Sequence, residues 1–109
     1  MKMLVIYRAN ATSASEIPVE GRMAIVENSY VYLDKLMASK KVNDGGFFAL
    51  GRGGAVIFNV ENMVEFAELA DGMPTRVICD VEVIPLLASD ECQKVFPKYK
   101  ERMVQARAQ

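Results

Sequence analysis

Histidine is absent from the 109 residues of this chain, and cysteine occurs only twice, at Cys79 and Cys92. Without histidine, a single chain cannot form a Ser-His-Asp triad, a Cys-His pair or a histidine-ligated zinc or haem site. The two cysteines form no Cys-x-x-Cys motif, so the sequence predicts neither a disulfide framework nor a metal site. Any proton transfer must therefore use carboxylates, lysine, tyrosine or cysteine.

A large excess of charge and long apolar runs are also lacking. The formal net charge is −1, so neither nucleic acid nor an anionic membrane surface is an expected partner. The longest apolar runs, MLVIY and GGAVIF, are far too short to span a bilayer. The N-terminus has no signal-peptide pattern. Together with the sparse cysteines, this favours a cytoplasmic protein.

Hydrophobic periodicity predicts seven elements in the order β-α-β-β-α-β-α. The predicted strands cover residues 2–8, 47–50, 55–60 and 75–86, and the predicted helices cover about 18–41, 61–72 and 89–109. This order is that of an α+β, ferredoxin-like βαββαβ fold with one extra helix. We expect residues 1–88 to form the domain and residues 89–109 to pack on the core or on a partner subunit. Pro97 should kink or restart the last helix.

The stretch LGRGGAVIFNV, residues 50–60, has the most conspicuous composition in the chain. A phosphate-binding loop needs its glycines between a strand and a helix, whereas Gly51, Gly53 and Gly54 precede a strand. These glycines therefore predict a hairpin turn with positive-φ residues. Arg52 at the tip is a candidate contact for an anion or for a partner subunit.

Both faces of the predicted sheet are almost equally apolar. In the last strand, for example, Ile78 and Ile84 lie opposite Val77, Val81 and Val83. A sheet with one solvated face normally alternates apolar and polar residues, and a second apolar face must be covered. The pattern therefore predicts a partner, either the terminal helix or the sheet of a second copy.

Residues 60–86, VENMVEFAELADGMPTRVICDVEVIPL, resemble the second half of the muconolactone isomerase-like proteins. The shared features are a strand ending in IFNVEN, a short acidic helix EFAEL that ends at MP, and a last strand with DVE that closes in IPL. The resemblance implies a dimeric α/β barrel, in which two sheets pair face to face and each protomer encloses a cavity. Muconolactone isomerase itself assembles further, into a ring-like decamer.

The resemblance also implies an activity, the shift of a double bond in a small unsaturated lactone without metal or cofactor. Such a reaction needs a base that takes a proton α to a carbonyl and an acid that returns it. The family has a proposed catalytic glutamate on the first helix. Alignment of that helix places Asn28 nearest to it and Glu27 one residue away, so Glu27 is a candidate base. A solvated helix-surface charge is its more ordinary interpretation.

Other candidate site residues come from the strands. Asp80 and Glu82 lie two residues apart on one strand face, roughly 7 Å from each other, which suits a base and an acid. Their ordinary interpretation is charge that keeps an edge strand soluble. Tyr7 and Asn59 are candidates to place a hydroxyl and an amide in an apolar cavity. Arg8 is a candidate carboxylate ligand.

Three functional hypotheses remain open from the sequence. The first is a cofactor-free isomerase of a small carbonyl or lactone compound, the second a non-catalytic ligand-binding or assembly module, and the third a cofactor-free monooxygenase. An enzyme predicts a cavity in which a carboxylate and a hydrogen-bond donor converge. An assembly module predicts that side chains fill the space between paired sheets.

Overall fold

Four strands form the sheet of the computed structural model, which describes residues 1–108: β1 (Lys2–Ala9), β2 (Val42–Phe47), β3 (Gly53–Asn59) and β4 (Cys79–Leu86). Their order in the sheet is β2-β3-β1-β4, and every neighbouring pair is antiparallel. β1 therefore lies in the interior of the sheet, and β4 is an edge strand.

The helices are α1 (Ala11–Ser15), α2 (Val19–Ala38), α3 (Met63–Asp71) and α4 (Ser89–Ala108), and a 3₁₀ helix covers Pro74–Ile78. α2 connects β1 to β2, and α3 connects β3 to β4. With the 4-1-3-2 strand order, this connectivity confirms the predicted ferredoxin-like α+β fold with an extra C-terminal helix. Within residues 1–108, no helix is both long enough and apolar enough to cross a membrane.

One face of the sheet forms the core with α2 and α3. Val5 and Phe58 are completely buried there, and Met3, the register partner of Phe58, is 2% exposed. The Phe58 ring meets Phe66 of α3 edge to face, with ring centroids 5.6 Å apart. From α2, Leu33 and Leu36 complete this apolar layer. Every second residue of β1 and β3 thus packs against the helices, as the alternation of side chains along a strand requires.

The other face of the sheet, here called the outer face, is apolar but only partly covered. Its residues alternate with the core residues and are partly exposed: Leu4, Ile6, Ala55, Ile57, Ile84 and Leu86. The predicted second apolar face therefore exists in the folded chain.

β2 begins five residues before its predicted start. The prediction used Asn43, Asp44 and the following glycines as a helix stop and placed the strand at residues 47–50, but β2 is Val42–Phe47. Gly45 suits this close pairing because a Cβ atom there would lie only 3.0 Å from the Ala55 carbonyl oxygen and 3.2 Å from the Val56 Cα atom. The strand is at an edge and irregular near Asp44, so sheet pairing outweighs its poor strand propensity.

The last strand begins at Cys79, not at residue 75. Pro74 opens a 3₁₀ helix whose backbone interrupts the period-two alternation assumed for residues 75–78. As a result Ile78, predicted on the face opposite Val77, is turned inward and only 7% exposed. Residues 11–15, predicted as loop, form the short helix α1, which Asn10 caps by accepting a hydrogen bond from the Ser13 amide.

The C-terminal helix α4 is continuous through Pro97, so the helix does not restart at that residue. Its side chains from Ser89 to Arg107 are all exposed. The Cα radius of gyration is 17.7 Å, against about 13 Å for a compact chain of this size. The difference follows because this helix, about 30 Å long, projects from the domain.

Candidate functional site

A cavity of about 380 Å³ lies on the helical side of the sheet. Its walls come from four segments: the end of β1, the middle of α2, the β2–β3 hairpin, and the stretch around the 3₁₀ helix. Most of the lining is apolar, with Met23, Val26, Leu33, Val56 and Ile78 among its members. A cavity of this size and character is suited to a small organic molecule.

The hydroxyl of Tyr7 is the main polar feature of this cavity. Tyr7 lines the cavity and is 3% exposed. Its hydroxyl oxygen is buried and has no hydrogen-bond partner among residues 1–108. Leaving a buried hydroxyl unpaired costs about 1–3 kcal/mol. By contrast, the hydroxyl of Tyr32 donates to the Leu69 carbonyl oxygen at 2.7 Å.

Burial controls the ionisation of the groups in and near the cavity. It raises the pKa of Tyr7 far above the ordinary 10.0, and the neighbouring Tyr32 and Cys79 add to that shift. Burial, followed by the charge of Asp80, also raises the pKa of the Cys79 thiol. Tyr7 is therefore a protonated donor at neutral pH, and Cys79 is a poor nucleophile because it stays a thiol.

The β2–β3 hairpin forms one wall through an unusual backbone. Gly51, Arg52 and Gly53 have φ angles of 85°, 72° and 144°, so the predicted positive-φ turn is present. Its loop is closed by the Phe48 amide, which donates to the Gly53 carbonyl oxygen at 2.8 Å. The Ala9 amide donates to the Arg52 carbonyl oxygen at 2.9 Å. The hairpin is thereby fixed to the end of β1, two residues from Tyr7.

Ser29 positions the 3₁₀ segment of the cavity wall. Its hydroxyl is completely buried, donates to the Ile25 carbonyl oxygen at 2.9 Å and accepts from the Thr75 amide at 3.1 Å. This links α2 to the turn that carries Thr75 and Ile78, both of which line the cavity. No local pattern indicates this role for Ser29, because serine is mostly a surface residue.

Of the predicted site residues, Tyr7 and Arg52 line the cavity. Arg52 is exposed, as are the lining residues Phe47 and Phe48. Tyr30, which also lines the cavity, meets Phe47 edge to face with ring centroids 4.4 Å apart. Thr75 and Cys79 also line the cavity but were not predicted as site residues. Alternation along β4 does place Cys79 on the face of Val81, the register partner of Tyr7. This alternation is the sequence signal that could have identified Cys79.

Arg8, Asp80 and Glu82 form a polar cluster on the outer face. The Arg8 guanidinium lies 3.1 Å from the Glu82 carboxylate, and both side chains are half exposed. The Asn10 amide donates to Asp80 Oδ1 at 3.1 Å. An exposed ion pair of this kind contributes at most about 1 kcal/mol. Asp80 and Glu82 share a face as predicted, and that face is the one away from the cavity.

Asn59 and Glu27 also lie outside the cavity. Asn59 pairs with Lys2 at the far end of β3 and is exposed on the outer face. Glu27 is exposed on α2, between the cavity-lining Val26 and the buried Ser29. Of residues 1–108, none that lines the cavity carries a carboxylate. Within the same range, no group of three or more Cys, Asp or Glu side chains is placed to hold a metal ion.

Comparison with known proteins supports the fold. No family model and no curated protein matches the sequence. Among solved structures, this chain is similar to 5-chloro-2-hydroxyhydroquinone dehydrochlorinase (TftG) from Burkholderia phenoliruptrix AC1100 in complex with 2,5-dihydroxybenzoquinone. The TM-score is 0.61 and the identity 19%, over 83% of this chain and 97% of that chain. At this identity the likeness establishes the shared fold alone.

Proposed function

We propose that this protein binds a small oxygenated ring compound in the Tyr7 cavity and shifts a proton or double bond in it without a cofactor. The observation that carries the proposal is the buried, unpartnered hydroxyl of Tyr7. Buried polar groups in folded proteins are nearly always paired, and an unpaired one indicates a missing partner or a catalytic role; we propose that a ligand is the partner of Tyr7. The dehydrochlorinase with the same fold, whose ligand is 2,5-dihydroxybenzoquinone, supports a ring compound bearing oxygen.

The chemistry of the cavity suits a carbonyl or enolate oxygen. Tyr7 remains protonated because burial raises its pKa, so it donates a hydrogen bond to such an oxygen. When a base removes the proton α to a carbonyl, the electron pair moves onto that oxygen. A donor fixed in a low-dielectric cavity stabilises the resulting charge strongly. The proton then returns to another carbon, and the double bond has moved.

Among the described residues that line the cavity none is a carboxylate, so a carboxylate base must come from outside its lining. Glu27, Asp80 and Glu82 are the carboxylates proposed for it, and all three are exposed outside the cavity of their own chain. In the enzymatic form of the proposal the base is Glu27, which follows the cavity-lining Val26 on α2, because Asp80 and Glu82 lie on the outer face, across the sheet from the cavity. Loss of turnover with retained binding in one of the Gln or Asn variants would identify it.

Replacing Tyr7 by phenylalanine tests the proposal. We expect Tyr7→Phe to weaken binding of 2,5-dihydroxybenzoquinone by about tenfold or more, because a buried hydrogen bond to the ligand is lost. The free energy of unfolding should be unchanged or about 1 kcal/mol higher, because the variant buries no unpaired hydroxyl. Titration calorimetry and urea unfolding measure the two effects.

Tyr99→Phe is the matched control for this experiment. It makes the same chemical change at an exposed tyrosine of α4 that does not line the cavity. Binding by Tyr99→Phe should equal that of the unmodified chain. Equal affinity of Tyr7→Phe and the unmodified chain, or a clear loss of stability in Tyr7→Phe, would contradict a ligand-binding role for this hydroxyl. The same binding measurements are repeated with an unsaturated five-membered lactone as the second ligand.

A second candidate function is a non-catalytic binder of the same compounds. The specific observation in its favour is that none of the described side chains lining the cavity is a carboxylate. The two candidates differ in turnover: the binder retains 2,5-dihydroxybenzoquinone or the lactone chemically unchanged. Nuclear magnetic resonance of the bound lactone in deuterated water distinguishes them, since an enzyme exchanges the α proton.

We also propose that the chain is a homodimer paired through the outer face, in the cytoplasm. Leu4, Ile6, Ile57 and Ile84 are apolar and partly exposed there, and burying apolar surface contributes about 25 cal/mol per Å². Both cysteines are free in the described chain, which suits a reducing compartment. Ile57→Lys places a charge in this face, and light scattering should then show a smaller particle than the unmodified chain gives.

A further inference from the structure

The projecting helix α4 carries an apolar stripe that its own chain leaves uncovered. The stripe, here called the arm stripe, follows helical spacing and consists of Cys92, Val95, Phe96, Tyr99 and Met103. The last four of these side chains are 50–59% exposed. Cys92, Val95, Phe96 and Tyr99 line one shallow groove together with Lys98 and Arg102. An apolar stripe of this extent on a solvated helix indicates a docking surface.

A second uncovered apolar surface lies on β4. Val81, Val83 and Pro85, here called the β4 strip, face the same side of the sheet as the core residues Tyr7, Val5 and Met3, with which they pair in register. Those partners are almost fully buried, whereas Val81 and Val83 are 46% and 41% exposed. The described helices thus cover β1 but leave the core-side face of the edge strand β4 exposed. The width of one strand suits one further helix.

Charge distinguishes the arm from the body that it would contact. Residues 89–109 contain five basic and three acidic side chains, which leaves eight basic and eleven acidic side chains for residues 1–88. The arm is therefore net positive and the body net negative, although the whole chain is almost neutral. Two copies of this chain attract each other arm to body, which a helix and a surface of equal sign would not do.

We infer that the α4 helices are exchanged: the arm stripe of one copy covers the β4 strip of a second copy, and the reverse. A reciprocal exchange satisfies both surfaces at once through one two-fold axis. Each arm stripe exposes on the order of 500 Å², taking about 100 Å² per side chain. Two arms and two strips therefore approach the roughly 1,600 Å² of a stable interface. This contact is separate from the proposed pairing through the outer face.

Disulfide trapping between the two surfaces tests the exchange. The variant Val83→Cys, made with Cys79→Ala, has one thiol in the β4 strip and the native Cys92 in the arm stripe. Mild oxidation at micromolar protein should give mainly a covalent dimer of twice the 12.1 kDa chain mass on non-reducing gels. In a second experiment, two versions of this variant that differ in size are mixed, and one of them also carries Cys92→Ser. The cross-link between the two different chains should then join only the thiol introduced at position 83 of the Cys92→Ser chain to Cys92 of the other chain.

The controls separate exchange from the alternatives. Val31→Cys, in the same Cys79→Ala background, places a thiol at a valine of α2 that is 67% exposed and should cross-link poorly. A fast-migrating monomer with an internal disulfide would show that the arm folds back on its own strand, and it would overturn the inference. So would a Val83→Cys yield no greater than that of Val31→Cys. Ile57→Lys should leave the cross-link intact, because it disrupts only the outer face.

Discussion

Gly53→Ala is expected to lower the free energy of unfolding by about 3–5 kcal/mol, one of the two largest effects that we predict. Gly53 has a φ of 144°, a conformation that costs a residue with a side chain about 1–3 kcal/mol. A Cβ atom there would also overlap the backbone carbonyl oxygen of Tyr7 and lie 3.2 Å from the Arg8 Cα atom. Because both neighbours are backbone, relief requires the strands to separate. Urea unfolding measures the loss.

Gly46→Ala is the matched control for this substitution. Gly46 belongs to the same hairpin and lines the same cavity, but a Cβ atom there meets no heavy atom within 4 Å. Its free energy of unfolding should change by less than about 1 kcal/mol. A similar loss in both variants would mean that the hairpin is destabilised by any side chain. It would contradict the assignment of the loss to overlap with the Tyr7 carbonyl oxygen.

The hairpin is also where sequence reasoning succeeded and failed within a few residues. The cluster of Gly51, Gly53 and Gly54 predicted positive φ angles, because few other residues adopt them, and the turn is there. The strand before the turn was predicted too far along the chain, because Asp44 and Gly45 have low strand propensity. Their pairing with β3 keeps them extended. Pairing of that kind is a tertiary effect that local propensity does not contain.

The candidate site was predictable in its composition more than in its location. Alternation correctly grouped Asp80 with Glu82 and Tyr7 with Val5. It could not tell which of two apolar faces would receive the helices, and so which of these groups would line a cavity. Tyr7 lies on the helical face and the two carboxylates on the outer face. For Glu27 the uncertainty was rotational, because one residue turns a helix by about 100°.

Residues that hold the cavity through tertiary contacts had no local signal. Ser29 acts through the Thr75 amide, 46 residues away. The inward turn of Ile78 depends on a 3₁₀ helix that replaces the predicted strand. A strand and a 3₁₀ segment can share the same short apolar pattern, and only the packing against α2 decides between them.

Phe58→Ala is the second large effect, with an expected loss of about 3–5 kcal/mol in the free energy of unfolding. The Phe58 ring is fully buried and meets Phe66 edge to face at 5.6 Å. Its removal leaves a void between β3 and α3, and the interior strand β1 on one side of that void cannot readily collapse into it. Urea unfolding should show this loss equally at low and high protein concentration, because the ring packs within one chain.

Phe96→Ala provides the contrast, because it makes the same chemical change on α4, where the ring is 57% exposed. Its effect on unfolding should be below about 0.5 kcal/mol at low protein concentration. If arms are exchanged, its effect should grow with concentration, since association then adds to stability. A loss for Phe58→Ala no larger than that for Phe96→Ala would contradict the assigned core. In the folded Phe58→Ala protein, 2,5-dihydroxybenzoquinone should still bind, because Phe58 does not line the cavity.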